Sequence, residues 1–327
     1  MKKRRSKTSK RLQKQRRQEN DFFKVVEKQI EGMRALCRPK TVYNCQTALR
    51  AFRRYLKEEM PCYKDRLPLR SLTLQLIAGF ERHLIERGVS LNTSHAYMRS
   101  LRSLVNRARS RGYACRDNLF ALVGTGVMRV TKRSLSEDDM RKLCHAKVKP
   151  GSLEEQTRDC AVFSYLAGGV PFCDVVRLSA GSYDAQTGEL SRRRHKTGVP
   201  ITVCLTPEAK NIWLKSREDP DSFIGRLAGK GKAEQELLYQ GLLAKYNRSL
   251  KELAGRCGIT STLTSYTIRH TFATVAHNRY DADLKVLSMA LGHHSEQTTC
   301  IYISQVDSGA AYKVQEKMEE GIFGERK

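Results

Sequence analysis

The sequence predicts a mostly α-helical protein of two domains, the second carrying a small β-sheet. Three observations lead there. The chain has 327 residues, beyond the ~100–200 usual for one domain. Apolar residues recur at helical spacing through both halves. One stretch, 188–205, alternates instead with the period of a strand hairpin.

The elements follow in order. Residues 1–20 (MKKRRSKTSKRLQKQRRQEN) hold ten Lys or Arg, one acid and almost no apolar side chain beyond Leu12. They are expected to be a basic disordered tail until an anion binds them. A helical domain is predicted over 21–122. In it, Pro39 and Thr41 open a helix whose stripe is Val42, Cys45, Leu49, Phe52 and Leu56. A further helix covers 72–87 and stops at Gly88. Residues 90–112 make the clearest helix of this half, with Tyr97, Leu101, Leu104, Val105 and Ala108 on one face. Arg99, Arg102, Asn106 and Arg109 lie opposite, and the segment holds no acid. Such a face is ordinarily only solvated; with every charge positive, phosphate contact by Arg99, Arg102 and Arg109 is the expectation.

Residues 120–135 read as a linker ending in a basic cluster, and a second domain is expected over 130–318. Ser136, followed by three acids, starts its first helix. Residues 159–167 look like a buried helix. Gly188–Arg194 and Val199–Leu205 form the hairpin around the turn HKTG, and Thr206-Pro207 caps the next helix. The stretch 223–233 lacks the spacing of a phosphate loop and reads as a basic loop. The remainder is helical to about residue 318.

A net charge of +26 exceeds what solubility requires and points to a polyanionic partner, nucleic acid first. The tail accounts for +9, so the folded body is itself basic at +17. No apolar run reaches the ~20 residues of a membrane span, and the start lacks the apolar core of a signal peptide. A soluble, intracellular protein is expected, with no membrane partner. Ten cysteines without a CxxC pair read as reduced, buried thiols, with no metal and no cofactor.

The chemistry concentrates in residues 264–305. One helix carries Tyr266, Arg269 and His270 on one face, with Ile268, Phe272, Val275 and Ala276 on its packing face. A second helix runs from about Asp283 to Leu291 and ends at Gly292, with His293 directly after it. Ser295 starts a third short helix leading to Tyr302. Arginine, histidine and tyrosine so held suit attack on a phosphodiester. A planar guanidinium grips two phosphoryl oxygens as charge builds on them. Tyrosine is a competent covalent nucleophile and leaving group.

Arg269-His270, Leu291-Gly292-His293 and Tyr302 nine residues after that histidine resemble the signature of the tyrosine recombinase (phage integrase) family. TSYTIRHTFAT and LGHHSEQTTCIY look most like the Bacteroidota branch of integrases and invertases. The resemblance implies a helical, SAM-like core-binding domain followed by an α+β catalytic domain. Tyr302 would attack a DNA phosphate to give a 3′-phosphotyrosyl link, and Arg269 and His293 would stabilise the phosphoryl oxygens. Lys196, before Thr-Gly on the hairpin turn, would protonate the leaving 5′ oxygen, although a hairpin lysine is ordinarily only a solvated turn. His270 would support the site or act as base. Strand exchange would then need neither ATP nor a divalent metal, would proceed in a tetramer on DNA, and could enlist accessory DNA-bending proteins.

Two positions depart from the family. Its first catalytic arginine belongs where this chain has Pro171 in Gly169-Val170-Pro171-Phe172-Cys173-Asp174, and the alternative place for it holds Gly168. Arg177 and Arg194 are the candidates to replace it, a surface role being the default for each. Tyr266 stands where histidine or lysine is frequent, and a phenol still donates to a phosphate oxygen. The missing arginine leaves a rival of a different class, a recombinase-derived DNA-binding protein that no longer cuts. A relaxing enzyme of the type IB topoisomerase kind is a third reading.

Overall fold

The computed structural model describes residues 20–36, 39–63, 65–128, 134–293 and 295–300. The expected basic tail, save Asn20, lies outside these residues, as does Tyr302. The chain divides into two compact units, 1–130 and 131–327.

Among the described residues, the first unit has four α-helices: α1 (Phe22–Leu36), α2 (Pro39–Glu59), α3 (Leu74–Glu86) and α4 (Leu91–Ser110). Their apolar stripes meet in one core centred on aromatic rings. Phe52 packs edge-on against Phe80 at 5.1 Å and against Phe22 at 5.9 Å. The stripe of α2 read from sequence is buried throughout, and in α4 Leu101, Leu104, Val105 and Ala108 are buried while Tyr97 is half-covered. Thr73 and Ser90 cap α3 and α4 through their hydroxyls.

The second unit orders its elements as α5 (Glu137–Cys144), α6 (Leu153–Leu166), α7 (Phe172–Val175), β1 (Tyr183–Asp184), β2 (Glu189–Arg193), β3 (Pro200–Cys204), α8 (Pro207–Glu218), α9 (Lys232–Arg256), α10 (Ser265–Tyr280), α11 (Leu284–Leu291) and α12 (Glu296–Cys300). Helix α6 packs against α5, α8, α9 and α10. Phe163 of α6 stacks on Trp213 of α8 at 6.0 Å, and Phe172 stacks on Tyr246 of α9 at 4.5 Å. The sheet is antiparallel in the order β1-β2-β3, with Leu190 facing Val203 and Arg192 facing Ile201. The fold is thus mostly helical with a small sheet. Strand β1 went unread in the sequence because two residues carry no alternation.

Three readings of the sequence need correction. The stretch 223–233 is a loop only as far as Gly231, where α9 takes over, and it is not a solvated one: Phe223, Ile224 and Leu227 are buried. The backbone N–H groups of Gly225 and Leu227 donate to Val175 and Val176 at 3.0 and 2.7 Å. Helix α10 has no simple packing face, since Thr267 to Thr271 are all buried while Phe272 and Ala276 are only half-covered. Nor are the thiols uniformly buried: Cys62, Cys204 and Cys300 are exposed. No helix among the described residues is long and apolar enough to cross a membrane.

Candidate active site

The site forms where the end of α11, the segment between α6 and α7, and the hairpin meet α10. Asp283 caps α11 by accepting from the N–H groups of Lys285 and Val286. Gly292 closes it in the left-handed region at φ 61°. A Cβ at 292 would come within 2.3 Å of Ile201 Cδ1 and 2.7 Å of Arg194 Cδ, so glycine is demanded by space as well as by dihedral. The tight end puts His293 at a fixed place, its N–H donating to Ser288 at 2.9 Å.

Arg269 is fully buried. Its Nη1 donates to the Gly169 carbonyl at 2.7 Å, and its Nη2 to the Leu291 carbonyl at 2.6 Å and to His293 Nε2 at 3.1 Å. Because Nε2 accepts, the imidazole proton sits on Nδ1, which donates to Thr299 Oγ1 at 2.9 Å. Burial first, and then the Arg269 guanidinium, pulls the His293 pKa down from 6.5 to about 3. The imidazole is therefore neutral at physiological pH. Arg194, His270 and Lys196 all lie close enough to push it the same way.

Arg194 is not on the surface, contrary to the default reading, and is 5% exposed. Its Nη1 donates to the carbonyls of Leu291 and Gly292 at 3.0 and 3.2 Å. Two guanidiniums thus converge on the C-terminal carbonyls of α11, where the helix dipole favours cations. Asp174 anchors the hairpin: its Oδ1 accepts from the His195 N–H at 3.0 Å, and its Oδ2 lies 3.8 Å from Arg194 Nε.

Arg177 goes elsewhere. Its Nη1 donates to Cys173 O at 2.6 Å, its Nε to Gln235 at 2.9 Å, and its guanidinium lies over the Tyr239 ring at 5.0 Å. It ties α7 to α9, so a surface role is overturned here too. Lys196 is exposed on the hairpin turn, which closes through Gly198 N–H to Arg194 O at 2.7 Å. His270 is buried, with its ring 5.8 Å from that of the half-exposed Tyr266.

The backbone accounts for one of the two empty arginine places. Gly168 sits at φ 85°, a conformation an arginine avoids, whereas Pro171 precedes α7 in an extended conformation open to any residue. Arg192, which the sequence reading passed over, is buried on the inward face of β2. Its signal was the strand period, since 190, 192 and 194 share one side. Among the described residues no three His, Cys, Asp or Glu cluster as metal ligands.

In the first unit, Arg99 donates to the carbonyls of Thr125 and Gly126 at 3.0 and 2.7 Å, and Arg102 to Thr125 Oγ1 at 3.1 Å. Arg109 donates to Arg116 O at 2.5 Å. These side chains hold their own chain, with further N–H groups on each guanidinium. Arg99, Arg102, Asn106 and Arg107 also line an open groove of about 590 Å³.

Known proteins share this two-part architecture. Residues 21–121 match the phage integrase SAM-like domain, and residues 133–308 match the phage integrase family. Tyrosine recombinase XerD of Shewanella oneidensis is 26% identical over 266 residues, covering 79% of this chain and 83% of its own. XerD of Pseudomonas putida is 30% identical over 176 residues, 52% of this chain and 56% of its own. Among solved structures, a λ integrase (75–356) dimer bound to a COC′ core site superposes with a TM-score of 0.65 at 17% identity, over 86% of this chain and 94% of that one. The Tn1549 transposon integrase in complex with transposon right end DNA gives 0.61 at 16%, over 91% and 99%. With the family matching more than half of the chain, this protein belongs to the phage integrase family of tyrosine recombinases.

Proposed function

We propose that this site-specific recombinase cuts and rejoins duplex DNA with Tyr302 as nucleophile. The Tyr302 phenolic oxygen attacks the scissile phosphorus, a 3′-phosphotyrosyl bond forms, and the bond to the 5′ oxygen breaks. Lys196 delivers the proton that the leaving oxygen needs. His270 supports the site or takes the phenolic proton, and Tyr266 donates to a phosphate oxygen. Arg269 and Arg194 grip the phosphoryl oxygens, with His293 beside them. The protein link conserves the phosphodiester energy, so rejoining is the reverse reaction on a new 5′ hydroxyl.

The observation that carries this reading is the convergence of Arg269 and Arg194 on the Leu291 carbonyl. It supplies a second buried guanidinium where the family's first arginine is missing, and so favours a cutting enzyme over a non-cutting DNA-binding relative. The basic body, with Arg99 and Arg102 lining the α4 groove and Arg109 on the same helix, favours a phosphate-binding surface. The 1–20 tail is read as an added anchor ahead of a core-binding domain (21–122) and a catalytic domain (130–318). The motifs TSYTIRHTFAT and LGHHSEQTTCIY favour the Bacteroidota integrase and invertase branch. A λ integrase tetramer bound to a Holliday junction, 18% identical with a TM-score of 0.64, makes a tetramer on DNA the natural assembly. Accessory DNA-bending proteins and a nucleoid-associated place in the cytoplasm complete the proposal.

The test is covalent trapping. Purified protein is mixed with the genomic DNA that flanks its own reading frame and stopped with detergent. A DNA-linked species in the wild type and none in Tyr302→Phe is the expected result. Tight binding to a defined site without any adduct would instead identify the non-cutting protein.

A further inference from the structure

Arg192 is 8% exposed, and its Nε, Nη1 and Nη2 are all shielded from solvent without a hydrogen-bond partner among the described residues. A guanidinium so placed has lost water and gained nothing in exchange. Burial draws its pKa down to about 10, which leaves it charged at neutral pH. The groups that face it are Asp174, Arg269, Arg194 and the Cys173 thiol, and Asp174 is the one that most favours its charged form. Asp174 has a matching defect, because its Oδ2 is also buried and makes no hydrogen bond. A carboxylate oxygen and a guanidinium, both buried and unbonded, thus lie within electrostatic reach. Yet the cation paired with that oxygen is Arg194, at 3.8 Å.

We infer that Arg192 is a positioning residue that takes over Asp174 when Arg194 turns from it to a phosphoryl oxygen. The inference rests on the phosphate role of Arg194 proposed above. Asp174 cannot be left alone in that movement, because its other oxygen holds the His195 N–H and with it the turn that carries Lys196. A stranded buried carboxylate would draw in water, and the turn would loosen. Arg192 keeps donors in reserve on the same side of β2 as Arg194, two residues away. The unpartnered charge is then a stability cost retained for the reaction, as active sites often show.

The test uses the full chain and a nicked duplex bearing the site found by trapping, so that cleaved ends cannot rejoin. Single-turnover cleavage, DNA affinity and melting temperature are read for Arg192→Met, Arg192→Lys, Asp174→Asn and the Arg192→Met/Asp174→Asn pair. Arg192→Met is expected to lose about tenfold or more in cleavage rate while affinity stays within about threefold. It should melt at or above the wild-type temperature, since an unpartnered buried charge has been removed. Arg192→Lys should recover part of the rate. With Asp174→Asn already present, Arg192→Met should cost no more than about a further twofold, there being no carboxylate left to hold.

Wild-type cleavage by Arg192→Met would overturn the inference. So would losses that multiply in the double variant, or a melting temperature that falls together with the rate. Arg194→Met separates this inference from the reading beneath it. If Arg194→Met cleaves normally, the phosphate role of Arg194 fails and takes the inference with it. If Arg194→Met is inactive while Arg192→Met is unimpaired, only the role of Arg192 fails.

Discussion

Arg269 and Arg194 meet at a single atom. The carbonyl oxygen of Leu291 accepts from Arg269 Nη2 at 2.6 Å and from Arg194 Nη1 at 3.0 Å. One arginine comes from a helix and the other from the end of a hairpin strand, so nothing local in the sequence announces the meeting. It places two cations side by side at the end of a helix whose dipole offsets part of their repulsion.

If that pair grips the scissile phosphate, the two sequence candidates for the missing arginine should separate cleanly. Arg194→Met is expected to lower single-turnover cleavage by about 10²–10³-fold with little change in DNA affinity. Arg177→Met should leave the rate within a few-fold. It should instead lower stability by about 1–3 kcal/mol, because its bonds to Cys173 and Gln235 and its stacking over Tyr239 disappear. Cleavage kinetics beside thermal melting decide the matter, and equal kinetic losses would refute the assignment.

The depressed pKa of His293 makes stability depend on pH. The folded chain disfavours a charged imidazole, so between pH 6.5 and about 3 the unfolded chain binds the more protons at this residue. Its contribution is therefore complete above pH 6.5 and is lost as pH falls toward 3. The melting temperature of the wild type should drop across that window more steeply than that of His293→Gln. Parallel curves would show that the imidazole does not titrate as its surroundings imply.

Gly292→Ala should be among the most damaging small substitutions in the chain. The left-handed backbone alone costs an alanine about 1–2 kcal/mol. The new methyl also collides with Ile201 and Arg194, and overpacking adds about 1–3 kcal/mol. Denaturant unfolding measures the loss, and covalent trapping at a permissive temperature should show cleavage falling further than stability. By contrast, Gly188→Ala, also at positive φ but with open space around it, should cost only the backbone part.

Deleting residues 1–20 removes ten basic side chains and one acid. DNA binding should weaken, and the slope of log affinity against log salt should flatten by about 0.9 for each phosphate that the tail neutralises. Titrations at several salt concentrations provide the check. An unchanged slope would mean that the tail does not touch phosphate.

Much of the helical frame was legible because each surface helix repeats one apolar stripe and announces its ends. Val42 to Leu56 in α2, Thr206 before α8, and Asp283 and Gly292 around α11 are local signals, and local signals survive in a sequence. The candidate site was legible only as motifs. The chain marks Arg269, His293 and Lys196 by their neighbours, but the acceptors that hold Arg269 and His293 are carbonyls of Gly169 and Leu291 and the hydroxyl of Thr299, which any residue type or many could supply. Buried arginine is rare enough that Arg194 reads as surface and Arg192 goes unnoticed. Only the alternation of β2, with Leu190 inside, pointed the other way. Helix α10 misled because enclosure on nearly every side erases the contrast between faces on which such a reading depends.

The backbone at Gly168 also bears on descent. An arginine introduced there would have to hold a left-handed conformation, and one introduced at Pro171 would add a guanidinium just before α7, the helix of Asp174, whose carboxylate already faces Arg192 and Arg194. Either reversion is opposed, the first by chirality and the second by crowding of like charge. If Arg194 has taken over the phosphate, one substitution at either place does not simply restore the older arrangement. The hairpin and the α11 terminus must be inherited together, as one historical commitment.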